Sequence, residues 1–82
     1  MDYQVEFKPR ALKDLDSIQP EMAQRIVERI SHLQNNLESD VKRLTNFTPS
    51  YRLRVGDYRA LFEVESSRIL VYRVVHRREV YR

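Results

Sequence analysis

The sequence contains no cysteine, which excludes a disulfide framework and any thiolate metal site and fits a reducing cytosol. Long apolar runs are also missing. The longest, Ile69 to Tyr72, falls far short of the roughly 20 residues a spanning helix needs. The opening residues MDYQVEFK have neither the basic start nor the apolar stretch of a signal peptide. A soluble cytoplasmic protein without a membrane partner is expected. Neither His76 with Glu79 nor the distant His32 has metal-ligand spacing, so no metal and no small-molecule cofactor is called for.

What is present is charge, unevenly spread. The chain of 82 residues carries a net charge of +3, but residues 1–41 hold 5 Lys/Arg against 8 Asp/Glu and residues 42–82 hold 10 against 4. An acidic half followed by a basic half implies an oriented anion-binding face. The length suits one domain, residues 1–82, near the size at which a single core just suffices.

Hydrophobic periodicity gives the architecture. Tyr3, Val5 and Phe7 alternate as a strand ending at Pro9. Pro9 suits the first turn of a helix in which Leu12, Leu15 and Ile18 recur at helical spacing. Pro20 opens a longer helix with Met22, Ile26, Ile30, Leu33 and Leu37 on one stripe, Asn35-Asn36 near its end, and His32 off the stripe as a surface residue. Residues 39–50 read as a loop carrying Lys42 and Arg43. A hairpin turning at Gly56-Asp57 follows, then a tight connection at Ser66-Ser67 and a final strand, RILVYRVV, apolar on both faces. The expected fold is α+β, order β-α-α-β-β-β, with two N-terminal helices packed on a mostly antiparallel four-stranded sheet.

The hairpin raises a chemical question. A turn at Gly56-Asp57 sets Val55 opposite Tyr58 and therefore Arg54 opposite Arg59. Alternation puts Tyr51, Leu53, Val55, Tyr58, Ala60 and Phe62 on one face and Arg52, Arg54 and Arg59 on the other. Like charges across a ladder are unfavourable, so an anion is their natural counterpart. A turn of the chain after the last strand would bring His76, Arg77, Arg78, Tyr81 and Arg82 toward these arginines, a set that suits a phosphodiester.

Metal-free RNA cleavage needs a base for the 2′-hydroxyl, an acid for the leaving 5′-oxygen, and cations for the charge growing on phosphoryl oxygens. Arginine fits the last role with its permanent charge and planar donor fork, and is a poor base. Histidine is the residue type here that ordinarily titrates near neutrality, whereas a tyrosine must have its pKa lowered by neighbouring cations. Glu79 is a further titratable group, with ion pairing to its basic neighbours as its other role.

Three segments together, VEFKPRALKDL at 5–15, DVKRLTNFTPSYRLRVGDYRALFEV at 40–64 and VHRREVYR at 75–82, resemble the RelE-type toxins of the RelE/ParE toxin-antitoxin superfamily. The resemblance implies a type II toxin with a cognate antitoxin, acting on mRNA in the ribosomal A site and leaving a 2′,3′-cyclic phosphate and a 5′-hydroxyl. By position, Arg59 and Arg77 match the residues that hold the transition-state phosphate, Tyr81 the one that stacks on or orients the nucleotide, and Arg52 and Arg54 those that position the backbone. Lys42, Arg43 and Arg78 extend the RNA-binding set. Arginines at 52 and 54, where some relatives have lysine, do not transfer a lysine-base mechanism. Val75 stands where a glycine is common. The base is left between His76 and Tyr81. The alternatives are a ParE-like inhibitor of DNA gyrase and a non-catalytic basic RNA-binding module.

Overall fold

The computed structural model describes residues 3–33, 41–44 and 49–80. Its element order is β1 (Gln4–Phe7), α1 (Pro9–Asp16), α2 (Pro20–His32), β2 (Val41–Arg43), β3 (Tyr51–Val55), β4 (Tyr58–Glu65), β5 (Arg68–His76) and α3 (Arg77–Val80). The strands form one five-stranded sheet in the order β1-β5-β4-β3-β2. β1 runs parallel to β5, and the other neighbours are antiparallel. The α+β reading holds, with one strand more than expected. β2 lies where a loop was expected, because Val41, Lys42 and Arg43 pair with Leu53, Arg52 and Tyr51, and the Leu44 N–H closes the connection on the Ser50 carbonyl at 2.6 Å. Three residues are too few to show a period in sequence.

Both long helices begin at proline, whose fixed φ and missing N–H suit the first helical position. α2 buries Ile26, Ile30 and the following Leu33 completely. It ends at His32, where the Leu33 N–H turns back to the Ile30 and Ser31 carbonyls; the expected extension to Leu37 lies outside the described residues. α1 corrects its sequence reading. Ala11 is its buried residue, whereas Leu12 is 52% exposed. A small side chain allows close approach to β5, and the inward face then runs through Ala11, Leu15 and Ile18.

The core lies between the helices and one sheet face, where Leu53, Val55, Ala60, Phe62, Ile69, Val71 and Val74 join Ala11, Ile26, Ile30 and Leu33. Phe62 is fully buried and stacks on Tyr51 at 5.4 Å; burial of such a side chain contributes about 1.5–3 kcal/mol. Among the described residues, no helix is long and apolar enough to cross a membrane.

One irregularity decides which side chains share a face. Leu61 pairs with Arg73 but the next residue, Phe62, pairs with Val71, so Tyr72 is an extra residue in β5. Such a bulge shifts the alternation by one. It lets Val71 and Val74 both face the core.

Candidate functional site

The hairpin forms as its turn dictates. Gly56 has φ +57°, the left-handed conformation that glycine adopts without penalty. Val55 is paired with Tyr58 and Arg54 with Arg59. Arg52, Arg54 and Arg59 therefore share the sheet face away from the helices, and Lys42 joins them through its pairing with Arg52. Arg43 does not. It pairs with Tyr51, on the helix side, with its guanidinium 6.0 Å from that ring.

Arg59 is 7% exposed, the one buried charged residue among those described. Its Nη1 donates to the Gly56 and Tyr58 carbonyls, both at 2.9 Å. The guanidinium is thereby drawn toward the turn, and carbonyl oxygens offset part of the repulsion expected from Arg54. Arg54 itself is exposed and Arg52 half-buried.

After β5 the chain turns at once into α3, which packs on β4 and β5. The Arg77 N–H donates to the Asp57 carbonyl at 2.7 Å, joining the start of α3 to the hairpin turn. The Arg77 side chain is 60% exposed and its Nε stands 4.0 Å from Asp57 Oδ1, a solvated pairing of little strength. Arg78 is exposed as well. Convergence of the C-terminal basic stretch on the hairpin is thus made by backbone, leaving the Arg77 head in solvent. Tyr81 and Arg82 lie outside the described residues.

His76 is placed differently from the arginines. It pairs with Tyr58, whose ring it meets edge-on at 5.4 Å, and so occupies the helix-side face. Strict alternation from Val71 would have set His76 beside Arg59; the extra residue at Tyr72 reverses it. Its Nδ1 accepts the Arg78 N–H at 3.2 Å.

Sequence reasoning missed two contributors. Asp57 was expected only as a turn residue, yet its carbonyl receives α3. Arg73 was read as part of an apolar strand, yet it makes a two-point contact with Asp14 of α1 beside the site-bearing end of β5. Burial works to raise the Asp14 pKa, but hydrogen bonds from Arg73 and the Val74 N–H, with the charges of Arg73 and Arg10, outweigh it and hold the carboxyl below the usual aspartate range.

Comparison with known proteins gives a consistent answer. Residues 5–81 match the family described as ParE toxin of type II toxin-antitoxin system, parDE. Toxin RelE3 of Methanocaldococcus jannaschii is 34% identical over 80 residues, covering 92% of this chain and 91% of that protein. The RelBE2 toxin-antitoxin complex of Mycobacterium tuberculosis contains a chain that superposes with a TM-score of 0.80 at 25% identity, over 93% of this chain and 99% of that one. The RelB-RelE antitoxin-toxin complex of Methanococcus jannaschii gives a TM-score of 0.75 at 34% identity, over 92% and 93% of the two chains.

Proposed function

The chain belongs to the RelE/ParE superfamily of type II toxin-antitoxin toxins, and from that premise we propose that it is a cytoplasmic, ribosome-dependent endoribonuclease that cleaves mRNA in the A site. The observation that carries this reading is the backbone tie from Arg77 to Asp57, which gathers the C-terminal basic stretch at the end of the hairpin that bears Arg54 and Arg59. Its RelE-named relative at 34% identity supports the same branch.

In the proposed reaction the 2′-oxygen attacks the adjacent phosphorus and forms the 2′,3′-cyclic phosphate while the bond to the 5′-oxygen breaks. The 2′-hydroxyl proton goes to a base, and the leaving 5′-oxygen takes up a proton to become a hydroxyl. Arg77 and Arg59 stabilise the charge developing on the phosphoryl oxygens, Arg59 with the edge of its guanidinium not committed to the turn. Tyr81 orients the nucleotide. Arg52, Arg54, Lys42 and Arg78 hold the RNA backbone, and Arg43 contributes from the strand edge. The sequence offers His76 and Tyr81 as candidates for the base and does not choose between them. A site with no strong base in evidence relies on the ribosome to align the 2′-hydroxyl with the phosphorus. The partners are then ribosome and mRNA, together with a cognate antitoxin, as the complexes of the structural neighbours suggest.

Primer extension on mRNA in programmed ribosomes tests the proposal, with wild-type protein beside Arg77→Ala and Tyr81→Phe. Cuts within the A-site codon that weaken in both variants are expected. Intact mRNA on ribosomes that a control nuclease can cut would overturn it. The ParE description of the matching family favours a second reading, inhibition of DNA gyrase. That reading gives supercoiling defects with intact transcripts.

A further inference from the structure

His76 touches the hairpin and α3 at once. Its ring packs edge-on against Tyr58 at 5.4 Å. Its Nδ1 accepts the N–H of Arg78, the second residue of α3, at 3.2 Å. A side-chain acceptor on the residue before a helix, bonded to the second helical N–H, is the geometry of an N-terminal cap, a role usually filled by Ser, Thr, Asn or Asp. We propose that His76 is a positioning residue, the cap that sets the direction in which α3 leaves the sheet and hence the place of Arg77, and that it is not the base of the reaction.

Two features argue against His76 as the base, one following from the cap's own hydrogen bond and one separate from it. The first is the tautomer. A neutral imidazole has one acceptor nitrogen and one N–H, and an Nδ1 occupied as acceptor leaves the proton on Nε2. In this arrangement Nε2 can donate a hydrogen bond but has no lone pair with which to take a proton from a 2′-hydroxyl. Freeing Nε2 would require moving the proton to Nδ1, which breaks the bond to Arg78. The second is the face. The bulge at Tyr72 sets His76 with Tyr58 on the helix side, opposite the face that carries Arg54 and Arg59. A base working on the ribose next to the bound phosphate belongs on the arginine side.

The cap does not act alone. The Arg77 N–H is held by the Asp57 carbonyl at 2.7 Å, so the first two N–H groups of α3 are satisfied by different parts of the protein. Asp57 fixes where the helix starts, and His76 fixes its orientation. If the ribonuclease reading is right, on which this role in cleavage rests, the 2′-hydroxyl proton falls to Tyr81 or to a ribosomal group.

The test compares wild type, His76→Ala and His76→Asn. Asparagine caps helices well and cannot act as a base at neutral pH. Removing the cap in His76→Ala is expected to slow cleavage on programmed ribosomes by about tenfold. His76→Asn should recover most of that loss and keep the wild-type shape of the rate-against-pH profile. In the free full-length protein, ring nitrogen shifts should show the Nε2–H tautomer for His76. The Arg78 amide should exchange faster in His76→Ala and regain protection in His76→Asn. An asparagine variant as slow as the alanine one, or one whose acidic limb disappears, overturns the proposal, as does an Nδ1–H tautomer. If wild type leaves mRNA intact, the ribonuclease reading fails instead, and the tautomer and exchange measurements decide the capping role alone.

Discussion

Asp14 and Arg73 meet where β5 has lost its parallel neighbour. Arg73 Nε donates to Asp14 Oδ2 at 2.8 Å and Nη2 to Oδ1 at 3.3 Å. The same Oδ2 accepts the Val74 N–H at 2.9 Å. β1 pairs with β5 only as far as Val71, and the Lys8 N–H takes the Val71 carbonyl. Beyond that point, a carboxylate from α1 does what the next strand residue would have done.

Replacing that carboxylate should therefore cost stability in a pH-dependent way. The Asp14 side chain is 13% exposed, and loss of charge-assisted hydrogen bonds at such a site costs about 2 kcal/mol. A folded-state pKa below the unfolded value means that the contribution is present above the ordinary aspartate range and is lost as pH falls through the folded value. Urea titrations of wild type and Asp14→Asn should show a gap of about 2 kcal/mol at pH 7 that narrows below about pH 4. A gap that stays constant down to acid would show that the charge is not what matters there.

The hairpin turn should tolerate little at Gly56. Its φ of +57° disfavours a side chain, and a Cβ there would stand 3.2 Å from Met22 Cε. The left-handed conformation costs an ordinary residue about 1–2 kcal/mol, which in a domain of this size lowers the melting temperature by roughly 4–16 °C. Gly56→Ala should fall in that range by calorimetry, and Gly56→Asn should lose less because asparagine enters this conformation more readily.

Arg59 and Arg77 should separate stability from activity. Arg59→Ala removes two hydrogen bonds to the turn from a buried side chain and should cost about 1–2 kcal/mol in urea unfolding as well as slowing cleavage. Arg77→Ala, at an exposed head group, should change stability by no more than about 0.5 kcal/mol. Its cleavage rate should still drop. Equal destabilisation in the two variants would contradict the described burial.

Binding of short single-stranded RNA should weaken with salt in proportion to the phosphates neutralised. Arg52→Ala and Arg54→Ala should each flatten the slope of log affinity against log salt by about 0.7. Leu12→Ala, a change at an exposed apolar side chain of α1, should leave the slope unaltered. A slope insensitive to both arginine changes would remove the sheet face from the proposed RNA interface.

The hairpin, the helix starts, β2, the inward face of α1 and the face of His76 differ in how far they could be read from sequence. The hairpin could, because a two-residue turn fixes its register locally and carries Arg54 opposite Arg59 with it. The helix starts could too, since Pro9 and Pro20 suit the first helical position. β2 could not, because it is a strand only by virtue of its hydrogen bonds to β3. Nor could the inward face of α1, where close packing on β5 selects Ala11 over the larger Leu12. The face of His76 depends on one extra residue at Tyr72, and a bulge inside an apolar run leaves no mark on the pattern of residues.

The pairing of β1 with β5 bears on how such a protein is made. Gln4 to Phe7 find their partners only at Arg68 to Val71, and β5 lies between β1 and β4. A growing chain exposes β1, both long helices and the hairpin before the strand that unites them exists. The sheet therefore closes only after β5 has emerged, and contacts so distant along the chain form late. Synthesis halted before Arg68 leaves the toxin without the strand that joins β1 to β4 and without the arginines that follow it. No assembled toxin therefore exists until synthesis has passed β5.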